Sequence, residues 1–489
     1  MIRELHEKLI NKEITSTELT QKYFNAIEKK DKDIFAYLTL TKDLAMEQAK
    51  IVDEKIARGE KIELLEGIPG AIKDVLCIKG ERATGGSKIL DNYIAPYDAT
   101  VIKKLKEKGA VILGKTNCDE FAMGSSTENS AYGLTKNPHD INLVPGGSSG
   151  GSAASVAADE AVWALGTDTG GSIRQPASLC GIVGLKPTYG RVSRYGLMAM
   201  ASSFDQAGPM TKSVEDAAII LSVISGQDSH DATSAHSSDK KFEDYLTGDV
   251  KGMKIGVVKD YFEGLKPGVK PLLEKVLDKY KKMGASIVEV ELPYNKYSLP
   301  AYYVIQPCEV SSNMARFDGV KYGLRANDEK DSDLGSLGLL RDMPKTLLET
   351  YLDTRQYGLG AEVKRRIMLG TYALSSGYYE AYYLRAQKVR SLIKRDFERV
   401  FKEVDLILTP TSTGPAFQLG EITDPLSMYL EDIFTITANM TGLPAISVPA
   451  GTVEKDGKQL PVGFQLMGKW FDEETLLNAA HSYEIANKK

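Results

Sequence analysis

The sequence predicts an α/β fold, with a mixed central β-sheet covered by helices on both faces. Apolar segments of about five residues, typical of buried strands, alternate with longer segments of helical periodicity. The 489 residues are 42% hydrophobic and 26% charged, which is ordinary for a globular protein. The sequence contains no repeat, low-complexity segment or strong linker, so we expect one large domain over residues 1–489.

Residues 1–65 predict a helical N-terminal subregion that is not an independent domain. A capping box at residues 15–18 is followed by apolar residues at helical spacing. A helix over 99–108 and a short buried strand over 109–114 are predicted next. Another predicted strand, over 161–166, runs directly into a glycine-rich turn.

The second half of the chain predicts a strand–helix–strand unit and further strands. The unit consists of strand 253–258, a helix near 269–283 and strand 285–290. The further elements are strands over 406–408, 445–448 and 462–466, and a closing helix from 473. The polar segments 229–239 and 330–356 are predicted to be long excursions from this framework.

Charge argues against direct binding of nucleic acid. The net charge is −5 and the isoelectric point is near 5.8, so the chain lacks the basic footprint of a nucleic-acid-binding protein. We expect any such contact to lie on a partner. The basic run at residues 364–366 predicts a solvated helix face.

Cysteine spacing and the N-terminal residues bear on the cellular compartment. The four cysteines form no C-x-x-C pair, which argues against a zinc knuckle or a redox dithiol, and we predict no metal site. Free thiols fit a reducing compartment. The first residues do not resemble a secretory signal, and no apolar run approaches the roughly 20 residues that span a bilayer. We therefore expect a soluble cytoplasmic protein.

Two serines in glycine-rich turns are candidates for acyl transfer, Ser148 in segment 145–152 and Ser172 in segment 168–174. At Ser172 a predicted strand opens into a turn whose backbone N–H groups are free to bind an oxyanion. A serine needs a base to take its proton, yet none of the five histidines lies in these turns. The alternative is that the segment around Ser172 only caps a helix.

Lys73 is the best candidate for the base. It lies in an apolar segment, and a lysine accepts a proton only when it is desolvated or close to another positive charge. If the segment is a strand, the neighbouring Asp74 points to the opposite face. Ser148 would then relay the proton from Ser172 to Lys73. The alternative is an ordinary lysine that extends its amine to water.

The turn at Ser148 has two other interpretations. Residues 146–150 formally match the G-x-S-x-G nucleophile elbow, which would make Ser148 the attacking group. That motif needs a preceding strand, and residues 137–145 are a poor strand. A phosphate cradle before a helix over 152–160 is the second alternative, but the motif G-x-x-x-x-G-K-[ST] is absent.

Lys73, segment 145–153 and segment 168–176 together resemble the amidase signature family. The spacings of 75 residues from Lys73 to Ser148 and 24 residues from Ser148 to Ser172 fit that family. The resemblance implies that Ser172 is the acylated nucleophile. It also implies that Ser148 follows a cis peptide bond and bridges to Lys73. The oxyanion hole would consist of backbone amides from residues 169–172, which are Thr169, Gly170, Gly171 and Ser172.

Within that family, segments 115–129 and 362–377, and residues 432–435 followed by 442–448, are similar to the glutaminase members that serve tRNA-dependent amidotransferases. The resemblance implies that Ser172 attacks the side-chain amide of glutamine and that ammonia passes to a partner. The partners would be subunits B and C of a heterotrimer. The first of these partners would bind Glu-tRNA(Gln) or Asp-tRNA(Asn), together with ATP and Mg²⁺, so we expect no cofactor in this chain.

The resemblance also implies a glutamine pocket formed by Asp432, Arg365 and Tyr303. An acid and a fork-shaped cation suit the α-amino and α-carboxylate groups of glutamine. The choice of Arg365 over Arg366 stays open, because the long segment 330–356 loosens the alignment. The alternative is that each is an ordinary helix-surface residue.

Two other functions remain open from the sequence. A free-standing hydrolase of small amides would use the same lysine and serines. A non-catalytic scaffold would keep only the fold, and the intact set of Lys73, Ser148 and Ser172 argues against it.

Overall fold

The structure is a computed structural model that describes residues 1–236, 240–326 and 346–488. In these residues eleven strands form one sheet. The strands are β1 Tyr37–Leu40, β2 Pro69–Lys73, β3 Val111–Thr116, β4 Trp163–Asp168, β5 Val183–Lys186, β6 Gln206–Thr211, β7 Lys254–Val257, β8 Ser286–Glu289, β9 Leu406–Pro410, β10 Ala445–Lys455 and β11 Lys458–Gly468. Their order across the sheet is β1-β3-β2-β4-β6-β5-β10-β11-β9-β7-β8.

The sheet is mixed, as the sequence predicts. Strands β3, β2 and β4 are parallel neighbours, as are β9, β7 and β8. Antiparallel pairs connect these two groups through β6, β5, β10 and β11. Every residue of β2, β3, β4, β6 and β9 is buried. Because successive side chains of a strand point to opposite faces, both faces of the sheet centre are covered.

The α-helices surround this sheet. In the described residues they are α1 Ile2–Ile10, α2 Ser16–Ile34, α3 Lys42–Ala57, α4 Thr100–Glu107, α5 Gly150–Ala157, α6 Arg174–Cys180, α7 Val214–Ile224, α8 Val269–Lys282, α9 Ser298–Asn313, α10 Leu347–Gly358, α11 Ala361–Ala373, α12 Arg385–Val400, α13 Pro425–Leu430, α14 Ile436–Thr441 and α15 Glu473–Lys488. A π-helical turn, Glu380–Leu384, precedes α12. Among the helices described, none is both long and apolar enough to cross a membrane.

The N-terminal subregion is largely helical, as predicted. The capping box at the start of α2 is present, with the Thr15 and Glu18 side chains each bonded to the other's backbone N–H. The prediction of helices alone is wrong at β1, which pairs antiparallel with β3 at the sheet edge. Four residues are too few to show a clear alternation, and pairing with β3 decides their conformation.

Most other elements lie where the sequence predicts them. The predicted strands at 109–114 and 161–166 correspond to β3 and β4, and the strand–helix–strand unit forms β7, α8 and the parallel β8. Strands β5 and β6 were not predicted. Of the long segment 330–356, residues 330–345 lie outside the described part of the chain, and most of the remainder belongs to α10.

The sheet places the candidate residues together. Strands β2 and β4 are parallel neighbours, so their carboxyl ends lie at the same edge of the sheet. Lys73 is the last residue of β2, and Asp168, which begins the turn to Ser172, is the last residue of β4.

Candidate active site

Lys73 lies in a buried cluster of hydroxyl groups. Its Nζ is 2.7 Å from the Oγ of Ser148, 2.8 Å from the Oγ of Ser149 and 2.9 Å from the Oγ1 of Thr167. All four side chains are buried. Because the three partners are uncharged, the ammonium form of Lys73 gains no ion pair from them.

Burial lowers the pKa of Lys73 to about 8, although the carboxylates of Asp119 and Asp168 oppose this shift. An ammonium ion cannot accept a proton, so a base lysine needs a pKa in this range. At pH 7 about a tenth of such amines are neutral. Because the side chain is buried, the alternative in which Lys73 extends its amine to water is excluded.

Asp74 points away from this cluster, as strand alternation predicts. Its carboxylate accepts hydrogen bonds from the Nζ of Lys115 and from the backbone N–H of Thr84, both at 2.9 Å. This carboxylate therefore neutralises Lys115 and leaves Lys73 among hydroxyl groups.

Ser148 lies in the turn that leads into α5, and its peptide bond to Gly147 is cis, as the resemblance implies. Residues 137–145 form turns and isolated bridges instead of a strand. The nucleophile elbow is therefore excluded. The backbone N–H of Asp119 donates to the carbonyl of Ser148 at 3.3 Å, which holds this turn against the loop after β3.

Ser172 lies in the turn between β4 and α6. It is 7% exposed, whereas Lys73 and Ser148 are 0% exposed, so of the three it is the one that a substrate reaches. The N-cap residue of α6 is Ile173, and no side chain caps this helix. The alternative in which Ser172 only caps a helix is therefore wrong.

The backbone at Gly171 corrects one predicted role. Its φ is +140°, and a Cβ there would lie 2.1 Å from the Oγ1 of Thr435, so only glycine fits. Its N–H donates to the carboxylate of Asp168 at 2.9 Å, so this N–H is not free to bind an oxyanion. Within the described residues, the N–H groups of Thr169, Gly170 and Ser172 donate to no protein acceptor and remain candidates for the oxyanion hole.

Asp168 holds this turn in place. Its carboxylate accepts two hydrogen bonds of 2.9 Å from the guanidinium of Arg174 and one from the side-chain amide of Asn439. Burial alone would raise the pKa of Asp168, but Arg174 and Asn439 outweigh it and hold the pKa at about 2. The fixed anion also accepts the N–H of Ile173 at 3.2 Å, so it orders both sides of Ser172.

A backbone contact brings the two serine turns together. The N–H of Ser149 donates to the carbonyl of Ser172 at 3.2 Å. In the part of the chain described, the hydroxyls of Ser148 and Ser172 are not hydrogen-bonded to each other. The structure therefore shows the contact between Ser148 and Lys73. Proton transfer from Ser172 to Ser148 stays a prediction.

Asp432 and Tyr303 lie together, as predicted for a glutamine pocket. The Oδ2 of Asp432 accepts a hydrogen bond from the Oγ of Ser125 at 2.7 Å and one from the hydroxyl of Tyr303 at 3.4 Å. The Tyr303 ring stacks on that of Tyr429, with centroids 4.0 Å apart. Burial raises the pKa of Asp432 to about 7, against the lowering effects of Ser125 and Arg366.

The two arginines of α11 differ in their surroundings. Arg366 is buried, donates to Glu362 at 2.8 Å, and lies over the rings of Tyr303 and Tyr429. The side chain of Arg365 is 42% exposed and also pairs with Glu362. The predicted solvated face over residues 364–366 is therefore wrong at Arg366, because α11 turns this side chain toward the tyrosines.

A cavity of about 230 Å³ adjoins these residues. Its lining includes Ser126, Arg365, Arg366 and Tyr429, but not Asp432 or Ser172. Ser126 is buried, and its Oγ has no partner within the described residues. Sequence reasoning missed Ser125 and Ser126, although both lie in the segment 115–129 that carries the resemblance. It also missed Ser149 and Thr167 as partners of Lys73, because hydroxyl residues in a glycine-rich turn give no signal of their own.

The chain is similar to known proteins over nearly its whole length. The family model for amidases matches residues 18–477. A relative from Carboxydothermus hydrogenoformans, named as the A subunit of glutamyl-tRNA(Gln) amidotransferase, is 57% identical over 484 residues, which cover 99% of this chain and 96% of the relative.

Solved structures give the same result. A crystal structure of the A subunit of glutamyl-tRNA(Gln) amidotransferase from Thermotoga maritima is 43% identical, with a TM-score of 0.78, and the match covers 99% of this chain and 95% of that one. A peptide amidase from Stenotrophomonas maltophilia is 29% identical, with a TM-score of 0.82, over 100% of this chain and 96% of that one. The fold is therefore found both in an amidotransferase and in an amidase.

Proposed function

The chain belongs to the amidase signature family, and from this premise we propose that it is the glutaminase subunit, the A subunit, of a glutamyl-tRNA(Gln) amidotransferase. It would act as part of a carbon–nitrogen ligase with glutamine as the amido donor. The observation that carries this choice is the 57% identity, over 99% of the chain, to a relative of that name.

The reaction begins with activation of Ser172. Neutral Lys73 accepts the proton of Ser148 across their 2.7 Å contact, and Ser148 takes the proton of Ser172 in turn. The Oγ of Ser172 attacks the side-chain amide carbon of glutamine. Removing the proton during the attack matters because a neutral serine hydroxyl is a weak nucleophile.

The turn after β4 then stabilises the negative oxygen of the tetrahedral intermediate. The N–H groups of Thr169, Gly170 and Ser172 are the candidate donors, and Asp168 holds the turn rigid from behind. The proton held on Lys73 returns through Ser148 to the leaving nitrogen. Ammonia departs, a γ-glutamyl ester remains on Ser172, and water hydrolyses it to glutamate by the same relay.

The pocket beside Ser125 would recognise the amino-acid end of glutamine. Ionised Asp432, helped by the Tyr303 hydroxyl, binds the α-ammonium group. Arg365 binds the α-carboxylate, because it lines the cavity and its partly exposed side chain is able to turn toward a ligand. Arg366 is held by Glu362 and lies over the rings of Tyr303 and Tyr429. Its positive charge would favour binding of the α-carboxylate nearby.

Ammonia would pass to a partner that completes the transamidation. We propose a cytoplasmic heterotrimer with subunits B and C, in which the B subunit binds the tRNA, ATP and Mg²⁺. The net charge of −5 supports a division of labour in which tRNA contacts lie mainly on the partner. The acceptor would be Glu-tRNA(Gln), converted to Gln-tRNA(Gln), or Asp-tRNA(Asn), converted to Asn-tRNA(Asn).

The decisive experiment compares the chain alone with the assembled complex. Glutamate release from glutamine should increase when subunits B and C, ATP and Glu-tRNA(Gln) are added. Co-purification of the chain with two further subunits would give independent support. Glutaminase activity that does not respond to the tRNA and ATP would contradict the proposal.

A free-standing amide hydrolase is the second candidate, and the likeness to a peptide amidase favours it. Rapid hydrolysis of simple aliphatic amides by the lone chain, with no preference for glutamine, would support this alternative. The buried carboxyl group of Asp432 argues against it, because a simple amide has no α-ammonium group to pair with that carboxylate when it is ionised.

A further inference from the structure

The side-chain amide of Gln175 connects two parts of the site that are far apart in the sequence. Gln175 lies in α6, three residues after Ser172, and is 0% exposed. Its Nε2 donates to the carbonyl of Ser125 at 2.9 Å, and its Oε1 accepts the backbone N–H of Gly147 at 3.0 Å. One planar amide therefore bridges the substrate pocket and the turn that carries Ser148.

The pocket end of this bridge leads directly to the predicted substrate contact. The carbonyl of Ser125 is bound by Gln175, while the hydroxyl of the same residue donates to Asp432 at 2.7 Å. A ligand that displaces the Asp432 carboxylate therefore also displaces Ser125, whose carbonyl is hydrogen-bonded to Gln175.

The catalytic end is packed so closely that a shift of the amide must displace the turn. A Cβ on Gly146 would lie 2.4 Å from the Oε1 of Gln175, and one on Gly147 would lie 2.3 Å from the Oδ2 of Asp119. Gly147 directly precedes Ser148, whose Oγ is 2.7 Å from the Nζ of Lys73. Small movements here therefore change the contact that accepts the proton, since interiors packed this tightly transmit strain.

We propose that Gln175 is a positioning residue that couples occupation of the Asp432 pocket to the alignment of Ser148. The inference rests on the proposed function, in which the α-ammonium group of glutamine binds Asp432. Glutamine, with this group, aligns the relay through Ser125 and Gln175. A simple primary amide, which lacks the group, does not.

The test compares two substrates in the full-length chain. Glutamine fills the pocket, whereas propionamide offers the same primary amide without the amino-acid end. Gln175→Met keeps the size of the side chain and removes both hydrogen bonds. We expect kcat for glutamine to fall about 30-fold, because two buried hydrogen bonds are lost. The fall for propionamide should be at least about fivefold smaller.

Gln48→Met is the matched control. Gln48 also accepts a backbone N–H, that of Ile112 in β3, but it lies away from the site. Its glutamine and propionamide rates should both stay at the wild-type level. If Gln175→Met does not fold, Ser125→Ala makes the same comparison, because it breaks the link between Asp432 and Gln175 at the other end.

A double-mutant cycle gives the second readout. In an Asp432→Asn background the α-ammonium group no longer binds a carboxylate, so the coupling is already broken. Adding Gln175→Met should then reduce glutamine turnover by much less than the roughly 30-fold loss expected in the wild-type background. Equal losses on both substrates, or additive losses in the cycle, would overturn the proposal. Failure of the proposed function is distinct from this, since it would appear in the wild-type protein as absent glutaminase activity or no preference for glutamine.

Discussion

The Nζ of Lys73 and the Oγ of Ser148 lie 2.7 Å apart, within reach for proton transfer between them. The Oγ of Ser149 already donates to the carbonyl of Thr167 at 3.1 Å, so it is an acceptor toward Lys73. A neutral amine has two N–H groups and one lone pair. One N–H goes to Ser149, and the second N–H and the lone pair are shared between Ser148 and Thr167. Of these two, Ser148 lies in the turn that contacts the Ser172 turn, so we expect it to be the hydroxyl that delivers the proton.

Ser172→Ala should abolish glutamine-dependent transamidation and spare transamidation from free ammonia. The nucleophile is lost, and glutamate release should fall by about 10⁴-fold or more. Ammonium chloride bypasses this chain, so the assembled complex should still convert Glu-tRNA(Gln). Product formation from the two nitrogen donors is the measurement. Loss of both activities in a folded variant would show that the chain does more than release ammonia.

Lys73→Met should behave similarly, because the relay then has no final acceptor. The unbranched apolar side chain fits the buried position, so the effect on glutaminase activity is expected to be about 10²- to 10⁴-fold, as for loss of a general base. Ammonia-dependent activity of the complex serves as the control for folding. Near-normal glutamine turnover in this variant would rule out the lysine base.

The pH profile of kcat/KM for glutamine should rise through two steps. Asp432 must be ionised to bind the α-ammonium group, and burial raises its pKa to about 7. Lys73 must be neutral to accept a proton, and burial lowers its pKa to about 8. Activity should therefore fall about tenfold per pH unit just below 8 and about 100-fold per unit well below 7. Initial rates between about pH 5.5 and 9 test this, and a flat profile from about 6 to 8 would contradict it.

Asp432→Asn should raise KM for glutamine and, because occupation of the pocket no longer aligns Ser148, should also lower kcat. The variant keeps the size of the side chain and removes the charge that pairs with the α-ammonium group, so an increase of about 10- to 100-fold is expected. Propionamide turnover should change far less. The variant should also lose the lower step of the pH profile, which leaves a slope of about tenfold per unit. An unchanged dependence on glutamine would mean that the pocket lies elsewhere.

Conservative lysine variants distinguish the two arginines of α11. Lysine keeps the charge but not the two-pronged geometry that suits a carboxylate. We expect Arg365→Lys to raise KM for glutamine about tenfold with little effect on melting temperature. Arg366→Lys should lower the melting temperature by several degrees, because it loses the buried contact with Glu362 and two rings. The reverse pattern would assign the carboxylate to Arg366.

Regular elements with strong local patterns were predictable from the sequence. The capping box of α2, the buried strands β3 and β4, and the unit formed by β7, α8 and β8 all lie close to the predicted positions. Strand β1 was missed because its four residues carry little pattern, and its pairing with β3 is a long-range interaction. The predicted exposure was wrong at Arg366 for a similar reason, since only packing against Tyr303 and Tyr429 determines which side of α11 is buried.

Local sequence was enough to identify the reacting groups of this protein. It supplied a lysine in an apolar segment, two serines in glycine-rich turns and the spacing that identifies the family. How these groups interact depends on long-range pairing, because the parallel contact between β2 and β4 brings residues 73 and 168 to one sheet edge. The tertiary structure also committed the amide of Gly171 to Asp168 and surrounded Lys73 with three hydroxyls. Hydrogen bonding and desolvation depend on neighbours distant in the chain, and no local pattern records them.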